Sequence, residues 1–322
     1  MIPWLLCGLG LLILLLAGDA LVRGAVNLSL RVGIPALIVS LTIVAFGTSA
    51  PELIISLSAL FEGKPDLALG NVVGSNTANV LLVLGLPAII SRMHTSQLDT
   101  KRSYLMMLAS SVLFIGLAFL GSFNWISGII LLAALAMTLG DQFFAARKHM
   151  AEAKLSCAAA DTDEIADLEG ADPDMPWWKI IVFLVVGLVG LPLGADLLVE
   201  NASIIARQFG VSDAVIGLTL VALGTSLPEL ATTVVAAMRK QADVAMGNVI
   251  GSNIFNLLAI IGVTSLFGEI PVDAEFLTFD LWVMLGASLI LAPFVLMGRD
   301  LGRRWGALLT FLYLLYVTVV LV

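Results

Sequence analysis

The sequence predicts an all-α polytopic membrane protein, with ten transmembrane helices arranged as two inverted five-helix repeats. Three observations predict it. The first is composition: 60% of the 322 residues are hydrophobic and only 12% are charged, with a mean hydropathy of +1.05, far from the soluble globular norm. The second is an internal repeat. Gly47-Thr48-Ser49-Ala50-Pro51-Glu52-Leu53 returns as Gly224-Thr225-Ser226-Leu227-Pro228-Glu229-Leu230, and Gly70-Asn71-Val72-Val73-Gly74-Ser75-Asn76 returns as Gly247-Asn248-Val249-Ile250-Gly251-Ser252-Asn253. Both copies are offset by 177, since 229−52 and 248−71 agree. The third is sidedness: with the N-terminus outside, every Lys and Arg except Lys64 and Arg207 falls on the cytoplasmic side, the positive-inside bias.

A spanning helix needs roughly 20 apolar residues, and ten runs qualify. The first, 3–23, follows no basic stretch and so does not read as a cleaved signal. Its Asp19 aligns with Asp196, and Gly33 beyond it with Gly210, so it is expected to stay in the fold as half of a matched pair. The run 34–61 carries the first motif. There Pro51 lacks the N–H that would bond the Gly47 carbonyl, and its ring crowds that turn, so the helix should kink. The run 66–91 opens on Asp66, favourable at a helix N-terminus, and carries Gly70 and Gly74, a small-residue pair suited to close helix packing. Runs 103–121 and 124–145 complete the first half.

The second half repeats the order. Run 177–206 opens on the interfacial pair Trp177-Trp178. Run 212–238 has Pro228 and Glu229, and 243–268 opens on Asp243 and carries Gly247 and Gly251. Runs 277–298 and 304–322 finish the chain. The alternation of a membrane β-barrel strand is absent. Residues 1–148 and 177–322 are thus the two repeats, and 149–176 is an acidic cytoplasmic linker. Starting a Ca2+ loop at Asp161 would put Ala166 where an EF-hand needs Gly. Five helices per half is an odd number, so the copies enter the membrane from opposite faces, as in many secondary transporters. Between Leu41 and Gly85 the copies agree at roughly half their positions. Cys7 and Cys157 fall at opposite faces and read as free thiols.

Each copy sets a carboxylate, Glu52 or Glu229, inside an apolar run, where a charge costs several kcal/mol unless partnered. Carbonyls released by the proline kinks are tolerable only where they line a polar cavity or are buried in protein. Around them stand the hydroxyls of Thr48, Ser49, Thr225 and Ser226, joined from the second motif by Ser75, Asn79, Ser252 and Asn256. Ser49 and Glu52 share a helix face, as do Ser226 and Glu229, Ser75 and Asn79, and Ser252 and Asn256. Every donor is oxygen, which favours a hard cation such as Ca2+, Na+ or Mg2+. Two carboxylates balance one Ca2+ or two Na+, so one ion can displace the other. Asn71, Asn76, Asn248 and Asn253 either cap broken helices or touch ions. Asp19 and Asp196 read as interfacial anchors or as ion-entry groups.

These doubled motifs, G-T-S-x-P-E followed by G-N-x-x-G-S-N-x-x-N, resemble those of the cation/calcium exchanger superfamily, and in particular the short prokaryotic sodium/calcium exchangers. The resemblance covers the whole chain. It implies a secondary antiporter that exchanges Na+ for Ca2+ by alternating access, extruding Ca2+. Glu52 and Glu229 would be the central ligands. Ser49, Ser226, Ser75 and Ser252 would serve mainly Na+, Asn79 and Asn256 would line the centre, and backbone oxygens near Ala45, Thr48, Ala222 and Thr225 would complete the shell. Potassium-dependent members, and some archaeal ones, carry Asp where this chain has Asn256, so the site here has one fewer ionisable group, which argues against K+ coupling. An H+-coupled or broader cation antiporter using the same glutamates is the alternative. The expected partners are the two ions and the bilayer of the inner membrane, both termini extracytoplasmic, with no cofactor, nucleic acid or obligate protein partner. An enzyme is disfavoured: His94 and His149 fall in expected loops, and neither a His-Glu-x-x-His pattern nor a phosphate-binding loop is present.

Overall fold

The computed structural model describes residues 2–156, 172–210 and 222–321. They form an all-α membrane fold in which nine of the described helices are long and apolar enough to cross a bilayer. In chain order the helices are α1 (Ile2–Val32), α2 (Ala36–Phe61), α3 (Pro65–Ile90), α4 (Lys101–Ala118), α5 (Trp125–Ser156) and α6 (Trp177–Gln208). There follow the shorter α7 (Leu227–Met238), preceded by a turn of helix at Ala222–Thr225, then α8 (Ala242–Phe267), α9 (Phe276–Leu296) and α10 (Arg303–Leu321). Residues 212–221 of the expected run 212–238 lie outside the described residues, as do Cys157 and the loop considered from Asp161. Cys7 is free.

Two helices run further than their apolar stretches. α1 continues through Arg23 to Val32 because its charges find partners on the helix: Arg23 Nε pairs with Asp19 at 2.9 Å, and Asn27 Nδ2 donates to the Arg23 carbonyl at 2.8 Å. It ends at Gly33, whose φ of 75° is matched by Gly210 at 81° after α6, a left-handed stop that glycine adopts without Cβ strain. α5 runs on to Ser156, so His149, expected in a loop, has helical backbone. Where the description resumes, the Asp172 N–H donates to Asn27 Oδ1 of α1 at 2.7 Å.

The repeat is visible in the element bounds themselves. Ala50–Phe61 within α2 corresponds to Leu227–Met238, Pro65–Ala78 to Ala242–Phe255, and the π-helical turn Asn79–Val83 to Asn256–Ile260, each at the offset of 177. A further π-helical turn occupies Ser40–Val44.

In a bilayer, association rests on close packing, which small residues permit, and the α1–α6 seam is built this way. A Cβ added at Gly187 would lie 2.5 Å from Leu21 Cβ, one at Gly194 2.9 Å from Leu14 N, and one at Gly10 2.7 Å from Leu198 N. This pair rests on α2 and α7 through Val39, Val44 and Ala231. A larger core joins α3 and α8 to α4 and α9 through residues such as Leu69, Met107, Val249 and Met284. Gly247 and Gly251 let α8 meet α2 closely: an added Cβ at Gly251 would sit 2.6 Å from Ala45 Cβ.

The halves are not packed alike. α1 covers the face of α7 that carries Ala231, Thr232 and Val235, whereas the matching face of α2, Ile54, Ile55 and Ser58, is open: Ile54 is 65% exposed and Ala231 8%. At the covered end, Arg239 after α7 pairs with Asp19 of α1. The residue matching Arg239 in the first copy is Glu62, which pairs with Lys64 instead.

Candidate cation site

The first motif breaks its helix at the serine. Ser49 has φ −87° and ψ 3°, and Ser226 has φ −88° and ψ 2°, the sparsely populated bridge region where many active-site residues sit. Pro51 and Pro228 then begin new helical arms, a position where a missing N–H costs nothing, so the expected kink is a full interruption. Glu52 and Glu229 consequently lie in the first turn of a helix, where the exposed N–H groups and the dipole favour an anionic side chain. The backbones of the two copies differ at the break: the Ser49 N–H reaches the Ala45 carbonyl at 3.0 Å, while the Ser226 N–H turns to the Leu223 carbonyl at 3.1 Å.

The second motif buttresses the first. Asn71 Nδ2 donates to the Glu52 carbonyl at 3.2 Å and to Ser56 Oγ at 3.1 Å. Asn248 Nδ2 donates to the Glu229 carbonyl at 3.3 Å and to Thr233 Oγ1 at 3.1 Å. These two asparagines thus tie the helical arms that carry the glutamates to α3 and α8. Asn248 also bridges the repeats, since its Oδ1 accepts from Thr48 Oγ1 at 3.3 Å. The π-helical turns begin at Asn79 and Asn256 themselves; such turns occur frequently at functional sites.

The two carboxylates are buried, Glu52 at 1% exposure and Glu229 at 0%, and close enough to repel one another. Ser49 Oγ donates to Glu229 Oε1 at 3.2 Å, with the Thr48 hydroxyl and the unpartnered Ser252 hydroxyl beside this carboxylate. Ser49, Thr48 and Ser252 thus converge with both glutamates. Thr225 and Ser226 are buried at the second interruption, and Ser75, Asn79 and Asn256 are buried on α3 and α8, with Ser75 one turn before Asn79. The Ala45 carbonyl accepts from Ser49 and Thr48, and Ala222 opens the turn that leads to Thr225.

Many of these polar atoms have no protein partner. Both oxygens of Glu52, Glu229 Oε2, Asn79 Oδ1, both amide atoms of Asn256 and Ser226 Oγ are buried without a hydrogen bond. Folded proteins tolerate only a few such groups, each costing about 1–3 kcal/mol and more when charged. Nearly all are oxygen acceptors, so the cluster fits a hard cation that would take up the free lone pairs. Among the described residues no group of three or more His, Cys, Asp and Glu gathers; the donor set is two carboxylates supplemented by neutral oxygens. The supporting bonds from Asn71 and Asn248 and the π-turns go beyond the sequence reading. Ser56 and Thr233 carried an available signal: a hydroxyl stands four residues after each glutamate.

The chain as a whole is similar to known proteins. A family profile described as "Sodium/calcium exchanger protein" matches residues 2–143 and 179–322. The chain is 33% identical over 345 residues to the sodium/calcium exchanger MaX1 of Methanosarcina acetivorans, covering 99% of this chain and 98% of that protein. It is 36% identical over 305 residues to the inner membrane protein YrbG of Escherichia coli, covering 94% and 91%. It also overlays on the solved structure of the sodium-calcium exchanger NCX_Mj soaked with zero Na+ and Ca2+, with a TM-score of 0.83, 30% identity and coverage of 99% of both chains.

Proposed function

The chain belongs to the sodium/calcium exchanger protein family, and we propose that it works as a secondary active antiporter that exchanges Na+ for Ca2+ across the inner membrane at the buried oxygen cluster. The observation that carries the site assignment is the concentration of unpartnered buried oxygens on the two interrupted helices and the two π-turns. Glu52 and Glu229 supply the charge; Thr48, Ser49, Ser75, Asn79, Thr225, Ser226, Ser252 and Asn256 supply neutral oxygens, with the backbone at Ala45 and Ala222. Two carboxylates neutralise one Ca2+ or two Na+, so either cargo satisfies both, while the empty site leaves two buried acidic groups without a counter-cation in a dry interior. That difference disfavours reorientation of an empty carrier and couples the two fluxes.

The architecture we assign is ten helices in two inverted repeats, 1–148 and 177–322, with 149–176 as the linker and both termini extracytoplasmic. Matching element bounds support the repeat, and the basic-residue distribution supports the orientation. The covered face of α7 and the open face of α2 support alternating access: one route to the site is closed by α1, and the reverse arrangement would close the other with α6. Net movement of one charge is worth about 2.3 kcal/mol per 100 mV, so entry of more than two Na+ per cycle would favour Ca2+ extrusion. Neutral Asn256 supports K+ independence.

The test is uptake of radiolabelled Ca2+ into proteoliposomes loaded with Na+, with Na+, K+ and H+ gradients imposed singly. Uptake should follow the Na+ gradient and vanish in Glu52→Gln and Glu229→Gln. Wild-type uptake in both variants would refute the site, and uptake driven only by protons would favour an H+-coupled antiporter using the same glutamates.

A further inference from the structure

We propose that Asn253 is a positioning residue that fixes the Asn79 amide with its oxygen turned to the cation. The inference rests on the site reading above and deepens it. Asn253 is 1% exposed and its side-chain nitrogen lies between two groups that can only accept, the Asn76 carbonyl at 3.4 Å and Met107 Sδ at 3.7 Å. A flipped amide would set oxygen against both, so the nitrogen must face them. Asn253 Oδ1 is thereby directed to the opposite side, where it accepts from Asn79 Nδ2 at 3.0 Å. With its nitrogen so engaged, Asn79 holds Oδ1 elsewhere, buried and without a protein partner. A main-chain carbonyl thus dictates, through one intervening side chain, which end of the Asn79 amide meets the ion.

The second copy does not complete this relay. Asn76 Nδ2 donates to the Asn253 carbonyl at 3.2 Å, as the repeat requires. Asn76 Oδ1, however, is unpartnered, and so are both amide atoms of Asn256. The centre therefore has one amide ligand locked in orientation, Asn79, and one free to turn, Asn256. Locking removes the rotamer and flip freedom that a ligand otherwise loses on binding, so Asn253 raises affinity without touching the ion.

A double-mutant cycle tests this. The variants are Asn253→Ala, Asn79→Ala and the pair, with Asn76→Ala as the repeat-related control. The readouts are the Ca2+ KM and maximal rate of Na+-driven uptake, together with the Ca2+-induced rise in unfolding temperature. Asn253→Ala should raise KM roughly 10-fold with little change in maximal rate, and the pair should be no worse than Asn79→Ala alone, because the removed interaction is shared. Asn76→Ala should instead multiply with Asn79→Ala. If Asn253→Ala multiplies with Asn79→Ala, or lowers maximal rate and unfolding temperature while KM stays constant, the relay is refuted and the site stands. If Asn79→Ala itself leaves KM unchanged, Asn79 is not a ligand and both fall. Asn253→Ser is the second variant: its hydroxyl can satisfy the Asn76 carbonyl but is too short to hold Asn79 as well, so it should behave as Asn253→Ala does.

Discussion

Gly251→Ala places a methyl group where α8 and α2 touch backbone to backbone. The new Cβ would stand 2.6 Å from both Ala45 Cβ and the Leu41 carbonyl oxygen, and 2.9 Å from Leu41 Cα. Carbon contacts are optimal at about 3.5–4.0 Å, so the helices must part by about 1 Å, and none of the three atoms belongs to a flexible side chain that could move instead. Overpacking of this kind costs about 1–3 kcal/mol. Function should suffer more than stability, because Ala45 and Thr48 travel with the displaced arm while Ser252 travels with α8. Calcium holds its ligands at about 2.3–2.6 Å, a tolerance smaller than the displacement, and a misplacement of about 1 Å can reduce activity by about 100-fold. We expect Gly251→Ala to unfold several degrees earlier in detergent and to lose most of its Ca2+-induced stabilisation and Na+-driven uptake. Gly116→Ala is the control: it lies within α4 with no atom near the added carbon, and should gain about 0.5–1 kcal/mol from reduced chain entropy in the unfolded state. A Gly251→Ala protein with wild-type unfolding temperature and Ca2+ KM would refute the reasoning, as would equal damage from Gly116→Ala.

Arg239→Gln should cost about 1–3 kcal/mol by removing charged hydrogen bonds to Asp19, and Asp19→Asn should add to it only the loss of the partly exposed Asp19–Arg23 pair, about 0–1 kcal/mol; unfolding of the four proteins of that cycle measures the coupling. Lys240 has φ 57° where the first copy has Gly63 at 73°, so Lys240→Gly should be neutral or stabilising by up to about 1 kcal/mol, read from the same unfolding curves. Asp300 ties the loop before α10 to the loop before α4, accepting from Arg92 Nη2 at 3.0 Å and the Ser96 N–H at 3.2 Å, with His94 Nδ1 at 3.1 Å. Partial burial pushes its carboxyl up, but the hydrogen bonds from Ser96 and then His94 outweigh this and hold it below the ordinary aspartate value. A depressed folded value means that its stabilisation is complete above the unfolded pKa, near about 3.9, and is lost as pH falls through the folded one. Protection of the amides in residues 91–98 against hydrogen exchange, taken relative to the intrinsic rate at each pH, should therefore fall on acidification in the wild type and lose that dependence in Asp300→Asn.

The sequence exposes whatever local chemistry dictates. Pro51 and Pro228 interrupt their helices because a proline cannot donate, and Glu52 and Glu229 are buried together because their motifs are copied. It hides what depends on distant neighbours. α1 outruns its apolar stretch because Asp19, Arg23 and Asn27 satisfy one another along the helix, so an apolar count stops too soon. The π-turns at Asn79 and Asn256 carry no residue signature, since they shift a hydrogen-bond register without needing Gly or Pro. The unequal cover over Ile54 and Ala231 is invisible in two nearly identical motifs, because it belongs to the position of α1. Likewise the asparagines of G-N-x-x-G-S-N are alike on paper, and only their contacts separate Asn71 and Asn248, which hold the glutamate-bearing arms, from the pair that meets across the repeats, Asn76 and Asn253.

The glycine seam between α1 and α6 bears on how little such a carrier can leak. With backbone atoms of one helix seated where the other has no Cβ, neither helix can slip along its partner without climbing out of the notches at Gly10, Gly187 and Gly194. In the proposed alternating-access cycle the two would therefore travel as a single rigid shuttle, and a shuttle that leaves one doorway must arrive at the other. A continuous water column through the protein would require the seam itself to part, so the seal against uncoupled Na+ flow lies as much in these side-chain-free positions as in the residues that grip the ion.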